Sequence, residues 1–477
     1  MIESATDVAA SDEVPQVVRR GKYLYPPGLR MNLVFYRFHR FFEPENPILL
    51  FEYLTRYGRA AHYRILWNDV VLLHDPSDIR EVLVDKAASF GKDRTQRRMK
   101  ILLGDGMITS DGAAHKRGRR VAAPAFHRRR IESYAGQIVE LAGALGDEWT
   151  DGRSLDVAAA MMDLALRITA RTLFDTAVTP EIQVINEQVN IVMDLYNYLI
   201  TMPRAELLLN APLRGMRRFR TAKQRLDQVV DAMIRGRRAE AAASGEDLEA
   251  RGDLLSMLLA ASDNEAGDGL SSEELRDQVL TLFLAGYETV ANLLAWTWLL
   301  LGQNPEAESR LHAEVDAVLG DRGATPNDVP KLEYTAMVLS EVMRLYPPAW
   351  AMGREALEDV AIGPYRLRKG TSVFFSQYIV QRNARWFPEP ERFVPERFRP
   401  DAKMDRPRFA YFPFGGGGRQ CIGESFAMLE ATLAVATIAQ RWQLKIDPSH
   451  PIALQPKITL RPRYGIRATA LARRPML

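Results

Sequence analysis

The chain contains one cysteine, Cys421, among 477 residues, and a lone thiol cannot form an intrachain disulfide. A single cysteine suits a reducing compartment. No segment offers about 18 uninterrupted apolar residues, the minimum for a membrane-spanning helix. Residues 1–20 are acidic and polar and lack the apolar core of a secretory signal. These absences predict a cytoplasmic protein without a membrane span.

Several chemistries are also missing from the sequence. The seven histidines include no His-Glu-x-x-His pair, so a zinc site is not expected. The sequence has no phosphate-binding loop, no Gly-x-Ser-x-Gly and no dinucleotide Gly-x-Gly-x-x-Gly, which argues against a flavin or nicotinamide module of its own. The formal net charge is only +3, so overall charge indicates neither nucleic acid nor an anionic membrane as partner.

The N-terminal region is expected to contain an arm and a hairpin. Residues 1–28 end in Tyr25-Pro26-Pro27-Gly28 and are predicted to form a loose arm before one domain over residues 29–477. Apolar runs at Tyr63–Trp67 and Val70–His74 predict a hairpin that turns at Asn68-Asp69.

Helical periodicity dominates the rest of the chain. Apolar residues recur every three or four positions through much of residues 110–245. A capping box at Ser271-x-x-Glu274 opens a long helix that is apolar on nearly every face from Val279 to Leu301, which predicts a buried central helix. Short strands are expected near Tyr365–Phe375 and after Trp442. The predicted class is mainly α, an α+β arrangement with a smaller β region.

The lone cysteine lies in an unusual local sequence, Phe414-Gly-Gly-Gly-Gly-Arg-Gln-Cys421-Ile-Gly423, and opens an apolar helix. Backbone N–H groups and a helix N-terminus favour a thiolate over a thiol. The alternative for any single cysteine is a buried structural thiol. The run matches Phe-x-x-Gly-x-Arg-x-Cys-x-Gly, and the chain resembles a soluble bacterial cytochrome P450. The resemblance implies a helix-rich cytochrome P450-like fold with haem b, whose iron is bound by the Cys421 thiolate.

A second motif, Ala285-Gly286-Tyr287-Glu288-Thr289, lies within the central helix. A glycine and a hydroxyl in mid-helix favour local opening of the backbone, and an adjacent acid and alcohol can relay protons. The resemblance implies that Thr289 contacts bound dioxygen and that Glu288 helps to deliver protons. The alternative is a threonine bonded to its own helix and a glutamate in a salt bridge.

A third motif is Glu341-Val342-Met343-Arg344, whose charged residues share a helix face. The resemblance implies that this pair is buried and joined by Arg397. All three residues are expected to stabilise the haem-side core and to take no part in the chemistry.

The haem propionates require cations, and four candidates follow from the resemblance: Arg419, Arg354, His115 and Arg119. Phe414 is expected to pack beside the haem, and Gly423 completes the cofactor loop. The alternative for His115 and Arg119 is a solvated basic helix face.

Basic residues continue around that helix at Lys116, Arg117, Arg120 and 128–130. No aromatic interleaving accompanies them, which disfavours nucleic acid. The resemblance implies that this face docks an acidic ferredoxin or flavodoxin, which receives its electrons from a reductase.

The resemblance implies a monooxygenase that uses O2 on a largely apolar substrate. Thr281, Leu284, Ala285, Ala349, Trp350 and Met352 are the candidate substrate-facing residues, and core packing is the alternative for each. Tyr346–Trp350 and Gln381-Arg382 are similar to bacterial carotenoid and terpenoid hydroxylases. A fatty-acid hydroxylase, a haem-thiolate peroxygenase or isomerase, and a non-catalytic haem sensor remain alternatives.

Overall fold

The computed structural model describes residues 17–32, 46–176, 188, 191–192, 214–245, 247–262, 269–401 and 406–473. The helices are α1 Ile48–Leu54, α2 Pro76–Arg80, α3 Arg94–Arg98, α4 Lys100–Leu103, α5 Gly112–Ala122, α6 Arg128–Ser133, α7 Ala135–Asp147, α8 Val157–Thr172, α9 Arg214–Ser244, α10 Leu248–Arg251, α11 Leu254–Ser262, α12 Ser272–Gln303, α13 Pro305–Leu319, α14 Glu333–Leu345, α15 Gln377–Val380 and α16 Glu424–Ala439. The strands are β1 Val18–Arg20, β2 Tyr23–Tyr25, β3 Gly28–Asn32, β4 Ala60–Ile65, β5 Asn68–Leu73, β6 Phe90–Gly91, β7 Ser154–Asp156, β8 Met352–Ala356, β9 Val360–Ile362, β10 Tyr365–Leu367, β11 Ser372–Phe375, β12 Trp442–Ile446, β13 Leu454–Pro456, β14 Leu460–Pro462 and β15 Arg467–Ala472. The mainly α, α+β class predicted from the sequence is confirmed, and helices make up most of the described parts of residues 110–245.

The described part of the N-terminal region is ordered into strands. β1 and β2 join a sheet of order β1-β2-β10-β9, and β3 pairs with β4 in the six-stranded sheet β3-β4-β5-β11-β8-β6. Tyr25 is buried in the core of these sheets. Residues 18–20 and 23–25 of the predicted arm form the hairpin of β1 and β2, and Leu24 of β2 pairs with Arg366 of β10. Residues 1–16 lie outside the described residues.

The predicted hairpin exists as β4 and β5, but its turn differs. Ile65 pairs with Asn68, so Leu66 and Trp67 form the two-residue turn, and Asn68-Asp69 begin β5. Leu66 adopts φ 55°, a left-handed conformation that turn rules assign to asparagine or glycine. The side chain of Asp69 instead pairs with Arg20 and His62, which explains why it lies in the strand.

The long central helix α12 begins where the capping box predicts. Ser271 accepts from the Glu274 amide, and the Glu274 side chain accepts from the Ser271 amide. α12 packs most extensively against α8 and also contacts α14 and α16. Among the described residues, α12 is the one helix long and apolar enough to cross a membrane, and protein buries 83% of its apolar window. The helix is therefore a core element of this fold.

The C-terminal hairpin of β13 and β14 lies against the central helix. The Trp296 indole N–H donates to the Leu460 carbonyl at 3.0 Å, and the Leu460 amide donates to the Pro348 carbonyl at 3.0 Å. The hairpin therefore connects α12 with the segment that follows α14, and both segments carry predicted site residues.

Candidate functional site

The cysteine loop is held by backbone bonds and close approaches. The Cys421 amide donates to the Phe414 carbonyl at 3.0 Å, which closes the loop ahead of α16. Gly415 and Gly417 have φ of 72° and 69°, and a Cβ on Gly417 would lie 2.0 Å from the Leu83 carbonyl oxygen. Glycine is required at position 417 for both reasons.

The Cys421 side chain lies in a recess, with its own surface accessible and protein around it. Burial raises the pKa of the Cys421 thiol, while a bond from the Gly423 amide and the charge of Arg119 act in the opposite direction. Arg119 also donates to the Gln420 carbonyl at 2.7 Å, which places it beside the loop. A metal ion bound to the sulfur would favour the thiolate outright. The loop geometry therefore suits a thiolate ligand pointing into an accessible recess.

Three cations, Lys92, Arg354 and Arg419, lie together with His115 near this loop (the cation cluster). His115, Arg354 and Arg419 line a pocket of about 180 Å³ together with Gly416 and Gly418. Burial, reinforced by Arg354 and Arg419, lowers the pKa of Lys92 to about 7. Burial and Arg419 likewise lower the pKa of Arg354 to about 10.

The cluster holds more positive charge than the surrounding acids neutralise. Among the described residues, neither Lys92 nor Arg354 has a salt-bridge partner, although both are about 95% buried. Burial and the cations Arg419 and Lys92 lower the pKa of His115 to about 4. Buried cations without counter-ions are costly, and a bound anion removes that cost. The two carboxylates of a haem bound to Cys421 would supply this missing negative charge, so the residues suit the cofactor.

The predicted cofactor residues have different partners in the structure. His115 and Arg354 belong to the cluster, whereas Arg419 also pairs with Asp111 and Arg119 donates to the cysteine loop. Lys92 was not identified from the sequence because an isolated lysine carries no local signal. Phe414 is half-buried at the start of the loop, and Gly423 lies close to the thiol, since a Cβ there would be 4.0 Å from Sγ.

The central helix is continuous through its glycine. A Cβ at Gly286 would lie 3.1 Å from Cγ2 of Thr169, so the glycine permits close packing of α12 on α8. The predicted opening of the helix at Gly286 is therefore wrong, because Ser272–Gln303 is helical throughout. Ala285, Gly286 and Thr289 are half-buried amid otherwise buried neighbours, so these residues form the accessible face of this part of the helix.

The acid and the alcohol of this motif have different surroundings. The Thr289 hydroxyl donates to the Ala285 carbonyl at 2.8 Å. Glu288 is buried in an ion pair with Arg461 at 2.7 Å. Both alternatives that the sequence left open are thus realised in the structure, and neither prevents a role in proton transfer.

The buried glutamate–arginine network forms as the sequence predicts. Arg344 donates to both carboxylate oxygens of Glu341 at 2.7 and 2.8 Å, and Arg397 lies 3.4 Å from the same carboxylate. The Glu341 and Arg344 side chains are fully buried. Arg344 also donates to the carbonyls of Gln381, Pro390 and Arg392. Every charge in this group therefore has a partner.

The candidate substrate residues divide into two sets. Thr281 is fully buried against Gly106, and the Trp350 indole donates to the Lys457 carbonyl at 2.8 Å while packing on Phe51. These two placements favour core packing over contact with a substrate. Leu284 is buried, whereas Ala285, Ala349 and Met352 are half-buried.

Comparison with known proteins assigns the family. The cytochrome P450 family model matches residues 26–467. The chain is 40% identical to cyclooctatin synthase of Streptomyces melanosporofaciens, over 88% of this chain and 91% of that protein. It is 38% identical to cyclooctat-9-en-7-ol 5-monooxygenase of the same organism, over 84% and 86%. It is 33% identical to pentalenene oxygenase of Streptomyces avermitilis, over 86% and 90%.

Proposed function

Because this chain belongs to the cytochrome P450 family and is a haem-thiolate monooxygenase, we propose that its substrate is a largely apolar, terpenoid-like molecule. The similar proteins carry names that denote an alkene, pentalenene, and an unsaturated alcohol, cyclooctat-9-en-7-ol. That similarity, which extends over more than four-fifths of this chain, is the observation that carries the proposal. Ala285, a small and half-buried residue of α12, leaves room for a bulky hydrocarbon.

In the proposed reaction, one oxygen atom of O2 enters a C–H bond and the other leaves as water, using two electrons and two protons. Haem bound to the Cys421 thiolate supplies the oxygen chemistry. Cys421 would hold the iron, and the cation cluster would hold the propionates. Thr289 is half-buried with its hydroxyl on the Ala285 carbonyl, and Glu288 is the neighbouring acid for proton transfer.

We place electron entry on the face around the cysteine loop. Lys116, Arg120 and Arg129 are exposed there, and Arg119 of the same helix α5 touches the loop. An acidic ferredoxin or flavodoxin would be steered to this surface by its charge.

The substrate proposal is tested by optical titration of the haem-loaded protein with panels of cyclic terpenes, carotenoids, fatty acids and steroids. We expect a low-spin to high-spin Soret shift with terpenes or their alcohols, followed by a product heavier by one oxygen atom. A shift and turnover with fatty acids alone would contradict the proposal. Thr289→Ala should divert reductant from product to peroxide, and unchanged product per reductant would refute the role of Thr289.

A further inference from the structure

Three donors from the C-terminal hairpin converge on one oxygen of Glu288. Arg461 Nε donates to Glu288 Oε1 at 3.0 Å and its Nη2 lies 2.7 Å from the same atom. The Thr459 hydroxyl donates to this oxygen as well. The side chains of Glu288, Arg461 and Thr459 are largely buried, so the contact is a buried ion pair with an added hydrogen bond.

The contact directs the carboxylate away from the accessible face of α12. Successive residues of a helix are about 100° apart around its axis. Thr289 is half-buried on the accessible side, whereas Glu288 is buried against β14 and the turn before it. Glu288 is therefore oriented by β14, a strand about 170 residues further along the chain.

The hairpin is hydrogen-bonded both to α12 and to the segment that follows α14. The Asn292 side chain on α12 donates to the Thr459 hydroxyl at 3.3 Å and to the Glu288 carbonyl at 2.8 Å. On the other side, Trp350 donates to the Lys457 carbonyl at 2.8 Å. The position of Arg461 is therefore determined by packing, and its guanidinium is presented to Glu288 in a defined geometry.

We propose that Arg461 is a positioning residue for the monooxygenase reaction: with Thr459 it holds the Glu288 carboxylate in one orientation, from which Glu288 takes part in proton transfer. The inference rests on the proposed role of Glu288 in delivering protons. It adds two residues from the C-terminal hairpin, Thr459 and Arg461, to the proton-transfer apparatus of α12.

Arg461 from β14 and Tyr287 from its own helix are titratable groups that interact with Glu288. Burial raises the pKa of Tyr287, with a smaller contribution from Glu288, so this phenol stays neutral and supplies no counter-charge. Arg461 is the cation that offsets the cost of burying the carboxylate. Without Arg461, the buried carboxylate loses this counter-charge and the fixed geometry that the guanidinium provides.

The first test is coupling, measured as product formed per reductant consumed by the haem-loaded protein. We expect Arg461→Gln to lower coupling, because Glu288 is no longer held in position. Adding Arg461→Gln to Glu288→Gln should lower coupling no further, whereas a merely structural role of Arg461 would lower it in both backgrounds. Arg463→Gln, an exposed neighbour, is the matched control and should follow wild type. Wild-type coupling in Arg461→Gln would overturn the proposal.

The second test does not depend on turnover. In thermal unfolding, Arg461→Gln should lower the midpoint more than the double variant does, because removing one partner of a buried pair costs more than removing both. Arg461→Lys, which keeps the charge, should recover part of the wild-type coupling. Additive midpoint shifts would contradict the ion pair. If the pair behaves as expected while Glu288→Gln keeps full coupling, Glu288 has no proton-transfer role and this inference fails, although the monooxygenase function stands.

Discussion

Two groups of buried charged side chains differ in how their charge is balanced. In the glutamate–arginine network of Glu341, Arg344 and Arg397, each charge has a partner from the chain. In the cation cluster, Lys92 and Arg354 are equally buried and have no salt-bridge partner among the described residues. A network that is complete by itself stabilises the fold, whereas a cluster with uncompensated charge fits an anion from outside the chain. We propose that this difference separates structural residues from cofactor residues.

The largest effect is expected from breaking the complete network. Glu341→Gln leaves two buried arginines without their counter-charge, at a cost of about 3–5 kcal/mol. We expect little folded, haem-loaded protein, measured by expression yield and thermal unfolding. Glu389→Gln, which removes an exposed pair with Arg392, is the control. A normal yield with an unchanged unfolding midpoint would contradict the structural assignment of Glu341.

The opposite effect on stability is expected when a charge is removed from the cation cluster. Arg354→Met removes one cation from a repulsive group, so the apoprotein should unfold at the same or a higher temperature. Loss of a charged hydrogen bond of about 1.5–3 kcal/mol should speed haem loss about tenfold or more. Haem transfer to a scavenging apoprotein measures this rate, with the exposed Arg366→Met as the control. An unchanged rate would remove Arg354 from the cofactor site.

The pH dependence of apoprotein stability gives a smaller effect. Burial lowers the pKa of Lys92 from 10.5 to about 7, so between these values the unfolded chain binds more protons than the folded one. The free energy of unfolding should therefore rise with pH across this window. Denaturant titrations from about pH 7 to about pH 10 should show the rise, and Lys92→Met should reduce it. Haem-loaded protein should show a weaker rise, because propionates stabilise the charged lysine. The same rise in Lys92→Met would refute the assignment to Lys92.

The smallest effect is expected from Arg419→Gln. Arg419 is partly exposed and pairs with Asp111, so its charge is already balanced in part. Haem loss should accelerate less than in Arg354→Met, because partly exposed ion pairs contribute little. An equal or larger acceleration would show that burial does not determine how strongly each of these cations retains haem.

Local patterns allowed much of the site to be predicted from the sequence. The capping box at Ser271, the pairing of Glu341 with Arg344 and the glycine loop before Cys421 each involve residues close in the chain. Their geometry follows from helix periodicity and from positive φ angles at glycine. The folded protein keeps these local arrangements, so no long-range contact had to be known to predict them.

The features that were missed depend on long-range packing or on local exceptions. Arg461 meets Glu288 across 173 positions, and no sequence pattern links them. Gly286 was expected to open the helix, but the sequence alone does not show that Thr169 packs on it. The hairpin turn was misplaced because Leu66 accepts a conformation more usual for asparagine or glycine.

The central claim is that Cys421 binds haem iron as a thiolate, and the CO complex of the reduced protein tests it most directly. Wild type should give the long-wavelength Soret band of thiolate-ligated haem, and Cys421→His should shift it to the shorter wavelength of imidazole ligation. A short-wavelength band in freshly prepared wild type, or an identical spectrum in Cys421→His, would contradict the account.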